Sequence, residues 1–214
     1  MIKKLDLEAS LEEKEEIVQC LDQVLKQDPE HKLAIMRKGE MLYKAGKEDQ
    51  ALELFERATN LGLIHREMYF YQGLSHRARG ENDQALRSLT SAVELEPGEY
   101  GARFERAGML YGQNLFKDSL RDVDHLLRLK PDSLNPKYAK ALTLKSLGRY
   151  QESLEYYNLV EEKLGKTFSL GYSDKAELYT ALSCFQEARD MHMGLYETSP
   201  YTDVEIDTST KFLI

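Results

Sequence analysis

A pattern that recurs after 34 residues constrains this chain more than any other feature of its sequence. Gly-x-x-Asp-Gln-Ala-Leu is found at Gly46–Leu52 and again at Gly80–Leu86. A constant step of this length is typical of repeat proteins, in which each copy buries its apolar face by stacking on the next. The step therefore predicts an array of similar helical units rather than one central core.

The 34-residue step holds in register over four copies and continues, after the insertion of one residue, into a fifth. Position 8 of each copy is Gly or Ala and position 20 is mostly Ala or Ser, which is expected to let two helices approach closely. Position 15 is expected to adopt the left-handed backbone that ends a helix, and Gly and Asn tolerate it best. In the first four copies this position is occupied by Gly46, Gly80, Asn114 and Gly148. The repeats, numbered 1 to 5 below, comprise residues 32–65, 66–99, 100–133, 134–167 and 169–202.

The ends of this array are also predicted from sequence. Apolar residues within each repeat follow a helical period, and Pro97 and Pro131 at position 32 are expected to follow the ends of second helices. In residues 1–31 a capping box at Ser10–Glu13 predicts a leading helix from Leu11 to Lys26 that acts as an acidic cap. Residues 203–214 break the helical period and are interpreted as a terminal tail, either disordered or docked as an apolar plug.

Composition favours a soluble globular protein and argues against nucleic-acid binding. Hydrophobic residues make up 42% and charged residues 31%, and the net charge is -8, with no basic stripe of the kind that contacts phosphates. No apolar run of about 18 residues predicts membrane insertion, and the first residues lack the apolar core of a secretory signal. Two distant cysteines, Cys20 and Cys184, fit a reducing compartment, so a cytoplasmic location is expected.

No pattern predicts catalysis, a metal or a cofactor. The histidines are dispersed without a His-x-x-x-His pair, and neither cysteine has a recognisable base beside it in sequence. His76, at position 11 of repeat 2, is interpreted as a satisfied core histidine. His192 lies between two methionines, but neighbours on a helix point apart, so copper binding is not expected. The chain is predicted not to be an enzyme.

The repeat positions resemble those of the tetratricopeptide repeat (TPR) family, whose 34-residue unit is a helix–turn–helix with small residues at positions 8, 20 and 27 and proline at 32. The resemblance covers about residues 11–202. It implies an all-α, right-handed superhelical solenoid of about five units plus an N-terminal half-unit helix. Position 4, an aromatic in the family, is Ile35, Tyr69, Arg103 and Lys137 here, and in repeats 3 and 4 the aromatic moves to position 5.

The resemblance also implies that the first helices line a concave groove, and their groove positions carry an aromatic row with scattered basic residues. We expect this groove to bind an extended or helical peptide, with aromatics burying apolar side chains and Arg37, Arg77 and Lys145 meeting backbone or acidic groups. The alternative is that about half of these aromatics belong to the core. The candidate binding residues are Met36, Arg37, Glu40, Tyr43, Phe70, Tyr71, Leu74, Arg77, Phe104, Gly108, Tyr111, Tyr138, Leu142 and Lys145.

One TPR subclass grips the C-terminal carboxylate of chaperone tails with Lys, Asn and Arg at fixed groove positions. Those positions here read Met36, Glu40, Tyr71, Gly101 and Glu105, so this binding mode is not expected. The sequence is therefore interpreted as a non-enzymatic protein-interaction module: an adaptor, scaffold or co-chaperone. The alternative is a structural or assembly subunit that contacts its partners through its edges and convex face.

Overall fold

The computed structural model describes residues 11–165, 169–184 and 187, and in these ranges it holds ten helices and no strand. The helices are α1 Leu11–Gln27, α2 Lys32–Lys44, α3 Glu48–Asn60, α4 Arg66–Ala78, α5 Asn82–Leu95, α6 Tyr100–Gly112, α7 Phe116–Leu129, α8 Leu134–Ser146, α9 Tyr150–Leu164 and α10 Ser169–Ala181.

Each repeat begins with a helix that starts at the first residue of the repeat. These first helices are α2, α4, α6, α8 and α10, and the second helices of repeats 1 to 4 are α3, α5, α7 and α9. Helix α1 confirms the predicted leading helix, and α5 and α7 end two residues before Pro97 and Pro131. Ser10 of the capping box, the second half of repeat 5 except residue 187, and the tail lie outside the described residues.

The chain divides into two compact units, Met1–Pro97 and Gly98–Ile214. In the N-terminal unit α2 packs on α3 and α4 on α5, while α1 lies against α2. In the C-terminal unit α6 packs on α7 and α8 on α9, while α10 lies against α9. Within each unit consecutive first helices also touch, α2 with α4 and α6 with α8. Each unit thus repeats the same antiparallel pairing.

The turn inside each repeat has one geometry, which confirms the prediction for position 15. Gly46, Gly80, Asn114 and Gly148 all have positive φ, between 61° and 75°, and Ser183 takes the same conformation in repeat 5 at 61°. In each turn the N–H of position 15 donates to the carbonyl three residues earlier, and the next N–H donates to the carbonyl five residues earlier, at 2.8 to 3.0 Å. This is the Schellman motif, which satisfies the last carbonyls of the first helix.

Glycine at position 8 allows the helices of repeats 1 and 2 to touch. A Cβ atom on Gly39 would lie 2.7 Å from Cε1 of Phe55, and one on Gly73 would lie 2.7 Å from Cγ of Leu89. Both facing side chains occupy position 24 and are fully buried. The expectation of a close approach at position 8 is therefore confirmed, and its cause is the large side chain at position 24.

Repeats 3 and 4 join the same positions by a hydrogen bond. Their residue at position 20 is Ser, and its hydroxyl donates to the carbonyl of the alanine at position 8 of the same repeat. Ser119 Oγ lies 2.9 Å from the Ala107 oxygen, and Ser153 Oγ lies 2.7 Å from the Ala141 oxygen. Both serines are buried, so the bonds tie the two helices together away from water.

A buried ion cluster accounts for Arg103, the departure from the family pattern at position 4. Asp122 on α7 accepts from Arg103 Nη1 at 2.9 Å and from Arg106 Nε and Nη2, each at 2.7 Å. Arg103 and Asp122 are buried and Arg106 is partly buried, so two guanidinium groups compensate one buried carboxylate.

Candidate functional site

The predicted groove residues of the N-terminal unit lie on α2 and α4, and the structure divides them into buried and accessible side chains. Met36 is 1% exposed and belongs to the hydrophobic core with Phe55 and Met68, and Leu74 is also buried. These two residues are thus packing residues here. Tyr43, Phe70 and Tyr71 are partly exposed and can contact a partner, and we call these three the N-terminal aromatic cluster.

The rings of this N-terminal aromatic cluster contact one another. The Tyr43 and Tyr71 centroids are 5.6 Å apart and tilted by 48°, and Phe70 meets Tyr71 edge-on at 5.3 Å. Lys44 places its Nζ 5.5 Å from the Tyr71 centroid. Such contacts hold rings in place, and a fixed, partly exposed aromatic surface loses little entropy when it binds an apolar side chain.

Glu40, another predicted binding residue, is instead held inside an ion-pair network beside this cluster. It is 6% exposed, and its two carboxylate oxygens accept from Arg37 Nη1 and Lys44 Nζ, each at 2.7 Å. Arg37 also reaches Glu67 on α4 at 2.8 Å. Arg37 and Lys44 therefore bridge α2 to α4 and fix the surface around Tyr71.

The network keeps Glu40 ionised. Burial alone would raise the pKa of the Glu40 carboxyl, but hydrogen bonds from Lys44 and Arg37 outweigh it and lower the pKa below its usual value. Burial would lower the pKa of Lys44, and the hydrogen bond to Glu40 raises it above the usual value instead. For Tyr71, burial and then the charge of Glu40 raise the pKa of the phenol. Tyr71 thus presents a neutral hydroxyl at neutral pH.

In the C-terminal unit the predicted groove residues lie on α6 and α8. Phe104, Gly108 and Tyr111 on α6 are partly exposed, whereas Tyr138 (5% exposed) and Leu142 on α8 are buried in the core of the unit. Phe104 stacks on Tyr100 with centroids 6.3 Å apart, and Tyr111 packs against Phe116 at 5.4 Å. The accessible aromatics of this unit, Phe104 and Tyr111, are called the C-terminal aromatic pair.

Tyr138 is a core residue because its ring packs edge-on against Tyr157 at 5.9 Å. Burial, followed by the negative charge of Asp174, raises the pKa of both phenols far above the usual value. The alternative left open by the sequence, that some of these aromatics belong to the core, describes Tyr138, and the non-aromatic Met36 at the same position is buried as well. Phe70 and Phe104 at the same position keep partly exposed rings.

Lys145 lies in an ion-pair network that sequence reasoning missed. Its Nζ is 2.5 Å from Asp174 Oδ1 and 2.5 Å from Glu177 Oε2, both on α10. Burial would lower the pKa of Lys145, but hydrogen bonds to Asp174 and Glu177 raise it. The signal was present, because these acids occupy groove positions 6 and 9 of repeat 5. Like Arg37 and Glu67, the pairs join consecutive first helices.

Two further side chains singled out from the sequence, His76 and Arg77, lie in the last turn of α4. His76 is satisfied as predicted, since its Nδ1 lies 2.6 Å from Oε2 of Glu81 at the start of α5, but the side chain is partly buried and does not belong to the core. Arg77 lies partly buried in the last turn of α4. Among the described residues, no three His, Cys, Asp or Glu side chains come together as a metal site. Nor is any described helix both long and apolar enough to cross a membrane.

The chain resembles solved structures at low sequence identity. YrrB, a TPR protein with an unusual peptide-binding site, matches with a TM-score of 0.79 and 13% identity over 86% of this chain and 94% of that one. MamA of AMB-1 matches with a TM-score of 0.72 and 17% identity over 83% and 97%. Residues 41 to the end of MamA from Desulfovibrio magneticus RS-1 match with a TM-score of 0.72 and 13% identity over 81% and 98%. These likenesses show an all-α helical solenoid fold.

Sequence comparison with protein families agrees with the fold. Residues 18–62 and 71–134 match one family described as tetratricopeptide repeat, and residues 135–162 match a second with the same description. A comparison with curated proteins finds no match. Because the first of these families alone matches more than half of the sequence, the chain belongs to the tetratricopeptide repeat family.

Proposed function

We propose that this chain is a non-enzymatic interaction module, acting as an adaptor, scaffold or co-chaperone in the cytoplasm, that binds a peptide or partner protein on its first helices. The observation that carries the proposal is the N-terminal aromatic cluster, Tyr43, Phe70 and Tyr71. These rings contact one another, stay partly exposed and lie at positions where the family binds ligands. Aromatic anchors are the usual energetic centres of such interfaces.

The charges beside the N-terminal aromatic cluster favour an apolar anchor in the ligand. Glu40 and Glu67 already compensate Arg37, and Glu40 also compensates Lys44. An acidic ligand group would have to compete with these internal carboxylates. An apolar or aromatic ligand side chain meets no such competition at Tyr71 and Phe70. Arg37 and Lys44 therefore act mainly by fixing the surface, with their exposed parts contacting the peptide backbone.

The C-terminal aromatic pair, Phe104 and Tyr111, provides a second contact surface on α6. Gly108 lies between them in sequence, one helical turn from each, and carries no side chain that would cover the helix backbone. A ligand can therefore approach the α6 backbone between two rings. YrrB, whose fold is similar, has a peptide-binding site, which supports peptide binding as the activity to test first.

The test begins with the selection of peptides from a random display library against the full chain. Affinities are then measured for the wild-type chain, for Phe70→Ala with Tyr71→Ala, and for Phe104→Ala. The matched control is Tyr150→Ala with Leu159→Ala, two exposed apolar side chains on the second helix α9. We expect at least a tenfold loss, about 1.4 kcal/mol, for the first-helix variants and no change for the control.

Circular dichroism of each variant separates binding from folding. The proposal would be overturned if the first-helix variants bind the peptide as tightly as the wild-type chain does. It would also be overturned if only the α9 control loses affinity for the peptide. If the Phe70 and Tyr71 variant loses helicity together with binding, these rings act as core residues. The proposal would then stand only if Phe104→Ala lowers the affinity at least tenfold while it keeps the helicity of the wild-type chain.

A further inference from the structure

Helix α1 has the register of a second helix, but no first helix of its repeat lies among the described residues. One step of 34 residues before repeat 1 places Ile17 at position 20, Cys20 at position 23 and Val24 at position 27. In the complete repeats these positions face the first helix of the same repeat. Ser153 at position 20 bonds to the Ala141 carbonyl, and Asp122 at position 23 pairs with Arg103.

The exposure of these positions distinguishes α1 from every complete second helix. In α1, Ile17 is 44% exposed and Val24 38% exposed, and Cys20 is exposed as well. In repeats 1 to 4 positions 20 and 27 are at most 1% exposed. Those eight residues are Ala51, Ala58, Ala85, Ala92, Ser119, Leu126, Ser153 and Val160. The side chains at positions 20 and 27 are thus buried in the four complete repeats and exposed in α1.

The other side of α1 already has its partner. Leu25 packs against the core of the N-terminal unit, and Asp22 Oδ1 accepts from Lys38 Nζ on α2 at 2.6 Å. The face formed by Ile17, Cys20 and Val24, which we call the α1 outer face, is therefore the face that a first helix would cover. It carries two large apolar side chains that are separated by two helical turns.

Charge indicates which kind of helix fits the α1 outer face. In all four complete repeats the first helix is more basic than the second. Helix α2 has four basic residues and one acidic residue, against four acidic and one basic in α3. Helix α8 has three lysines and no acid, against four acids and one lysine in α9. Helix α1 has five acidic and two basic residues, so its complement is a basic helix.

We propose that the α1 outer face is a docking surface for a basic amphipathic helix of another protein, which takes the position that a first helix has in the complete repeats. Each described first helix has 13 residues, which sets the length of the segment that fits. Helices α2, α4, α6 and α8 already pack on their own second helices, and α10 carries two acids and one lysine. A second copy of this chain therefore offers no unoccupied basic first helix among its described residues.

Cys20 makes the surface testable in the full chain by equilibrium disulfide exchange. The probe is a peptide with the α8 sequence, residues 134–146, followed by Gly-Gly-Cys, in a cysteamine–cystamine buffer. Mass spectrometry measures the mixed disulfide at Cys20, with Cys184 as the internal reference. We expect at least tenfold more capture at Cys20 than with a scrambled peptide of the same composition. A probe with its three lysines replaced by glutamate is expected to fall to the scrambled level.

The matched protein variant, Ile17→Ser with Val24→Ser, keeps the charge of α1 and removes its apolar contacts. We expect it to reduce capture of the basic probe to the scrambled level without changing helicity. Equal capture of basic, acidic and scrambled probes would overturn the proposal, and so would capture that survives both serine substitutions. Peptides selected for the first-helix site are expected to bind this variant normally, which separates this surface from the proposed function.

The proposal would also be overturned if one of two other segments occupies the α1 outer face. If the wild-type chain dimerises in sedimentation experiments and Ile17→Ser with Val24→Ser abolishes the dimer, a second copy occupies the surface. If Cys20 of the wild-type chain resists maleimide, and truncation before Leu11 makes it reactive, residues 1–10 cover it. The proposal requires that the chain is monomeric. It also requires that Cys20 reacts with maleimide as fast as an exposed thiol does, and that addition of the basic probe slows this reaction.

Discussion

The N-terminal unit joins the helices of repeats 1 and 2 through glycine at position 8, whereas the C-terminal unit joins those of repeats 3 and 4 through serine at position 20. Gly73 allows contact with Leu89, and Ser153 donates to the Ala141 carbonyl. The backbone turn is the same in both units. One repeat geometry is therefore compatible with an apolar contact or with buried polar bonds.

The two units also differ at position 23. In repeat 2, Ser88 donates to Gln72 Oε1 on the first helix at 3.2 Å. In repeat 3, Asp122 accepts from Arg103 and Arg106. A neutral pair and an ion cluster thus bridge equivalent helices, and the second is far more sensitive to the loss of one partner. Substitutions at position 23 test whether the two kinds of contact also differ in how much they contribute to the free energy of unfolding.

The largest effect is expected for Asp122→Ala. Its removal leaves the buried guanidinium group of Arg103 and the partly buried one of Arg106 without this carboxylate, so the free energy of unfolding should fall by about 3–5 kcal/mol. Urea denaturation followed by circular dichroism measures the loss. Ser88→Ala, at the same position of repeat 2, is the matched control, with an expected loss of about 1 kcal/mol. Equal losses in the two variants would show that the ion cluster is not specially important.

Gly73→Ala is expected to destabilise the N-terminal unit by about 1–2 kcal/mol, because its Cβ would overlap Leu89 and the clash exceeds the gain in helix propensity. Gly112→Ala on α6 is the control, since a Cβ there meets nothing within 4 Å. That variant should be neutral or slightly more stable. A Gly73→Ala chain as stable as the wild type would mean that the glycine contact is not required.

Ser153→Ala should lower the free energy of unfolding by about 0.5–1.5 kcal/mol, since it removes one buried hydrogen bond without adding volume. Ser91 donates to the Arg87 carbonyl of its own helix and bridges no helices. Ser91→Ala is therefore the control and should change stability by less than about 0.5 kcal/mol. The opposite order of the two losses would contradict the role given to position 20.

The smallest effect concerns Glu40. A carboxyl whose pKa is lowered by folding stabilises the protein above its unfolded pKa, near 4.5, and that contribution is lost as the pH falls through the folded pKa. Glu40→Gln should remove this part of the acid dependence, at a cost below about 1 kcal/mol at pH 7, since Arg37 and Lys44 are partly exposed. Unfolding curves between pH 3 and 7 measure it. If the stability of the variant depends on pH as that of the wild-type chain does, the lowered pKa of Glu40 does not contribute to the acid dependence.

Sequence reasoning predicted the features that depend on backbone conformation and register. Asn114 marked a left-handed turn because few residues tolerate that conformation, and Gly39 marked a close approach because it lacks a side chain. Both follow from local chemistry. The helix starts follow from the 34-residue step, since each repeat restarts the same pattern.

Burial within the candidate site could not be predicted in the same way. Met36, Phe70 and Tyr138 all occupy position 5, yet Met36 and Tyr138 are buried and Phe70 is not. The difference depends on neighbours in three dimensions, such as Tyr157 beside Tyr138. The pairing of Asp122 with Arg103 could not be predicted either, because it joins side chains from different helices. The position of a residue in the repeat determines which way its side chain points, but the neighbouring side chains determine how exposed it is.

The most direct test of partner binding on the first helices is a nuclear magnetic resonance titration of the labelled full chain with a selected peptide. If the partner binds there, the resonances of Tyr43, Phe70 and Tyr71, or those of Phe104 and Tyr111, are expected to shift until the chain is saturated with peptide. Resonances of the second helices α3, α5, α7 and α9 should change little. Shifts confined to those second helices, with the aromatic resonances of α2, α4 and α6 unchanged, would contradict binding on the first helices.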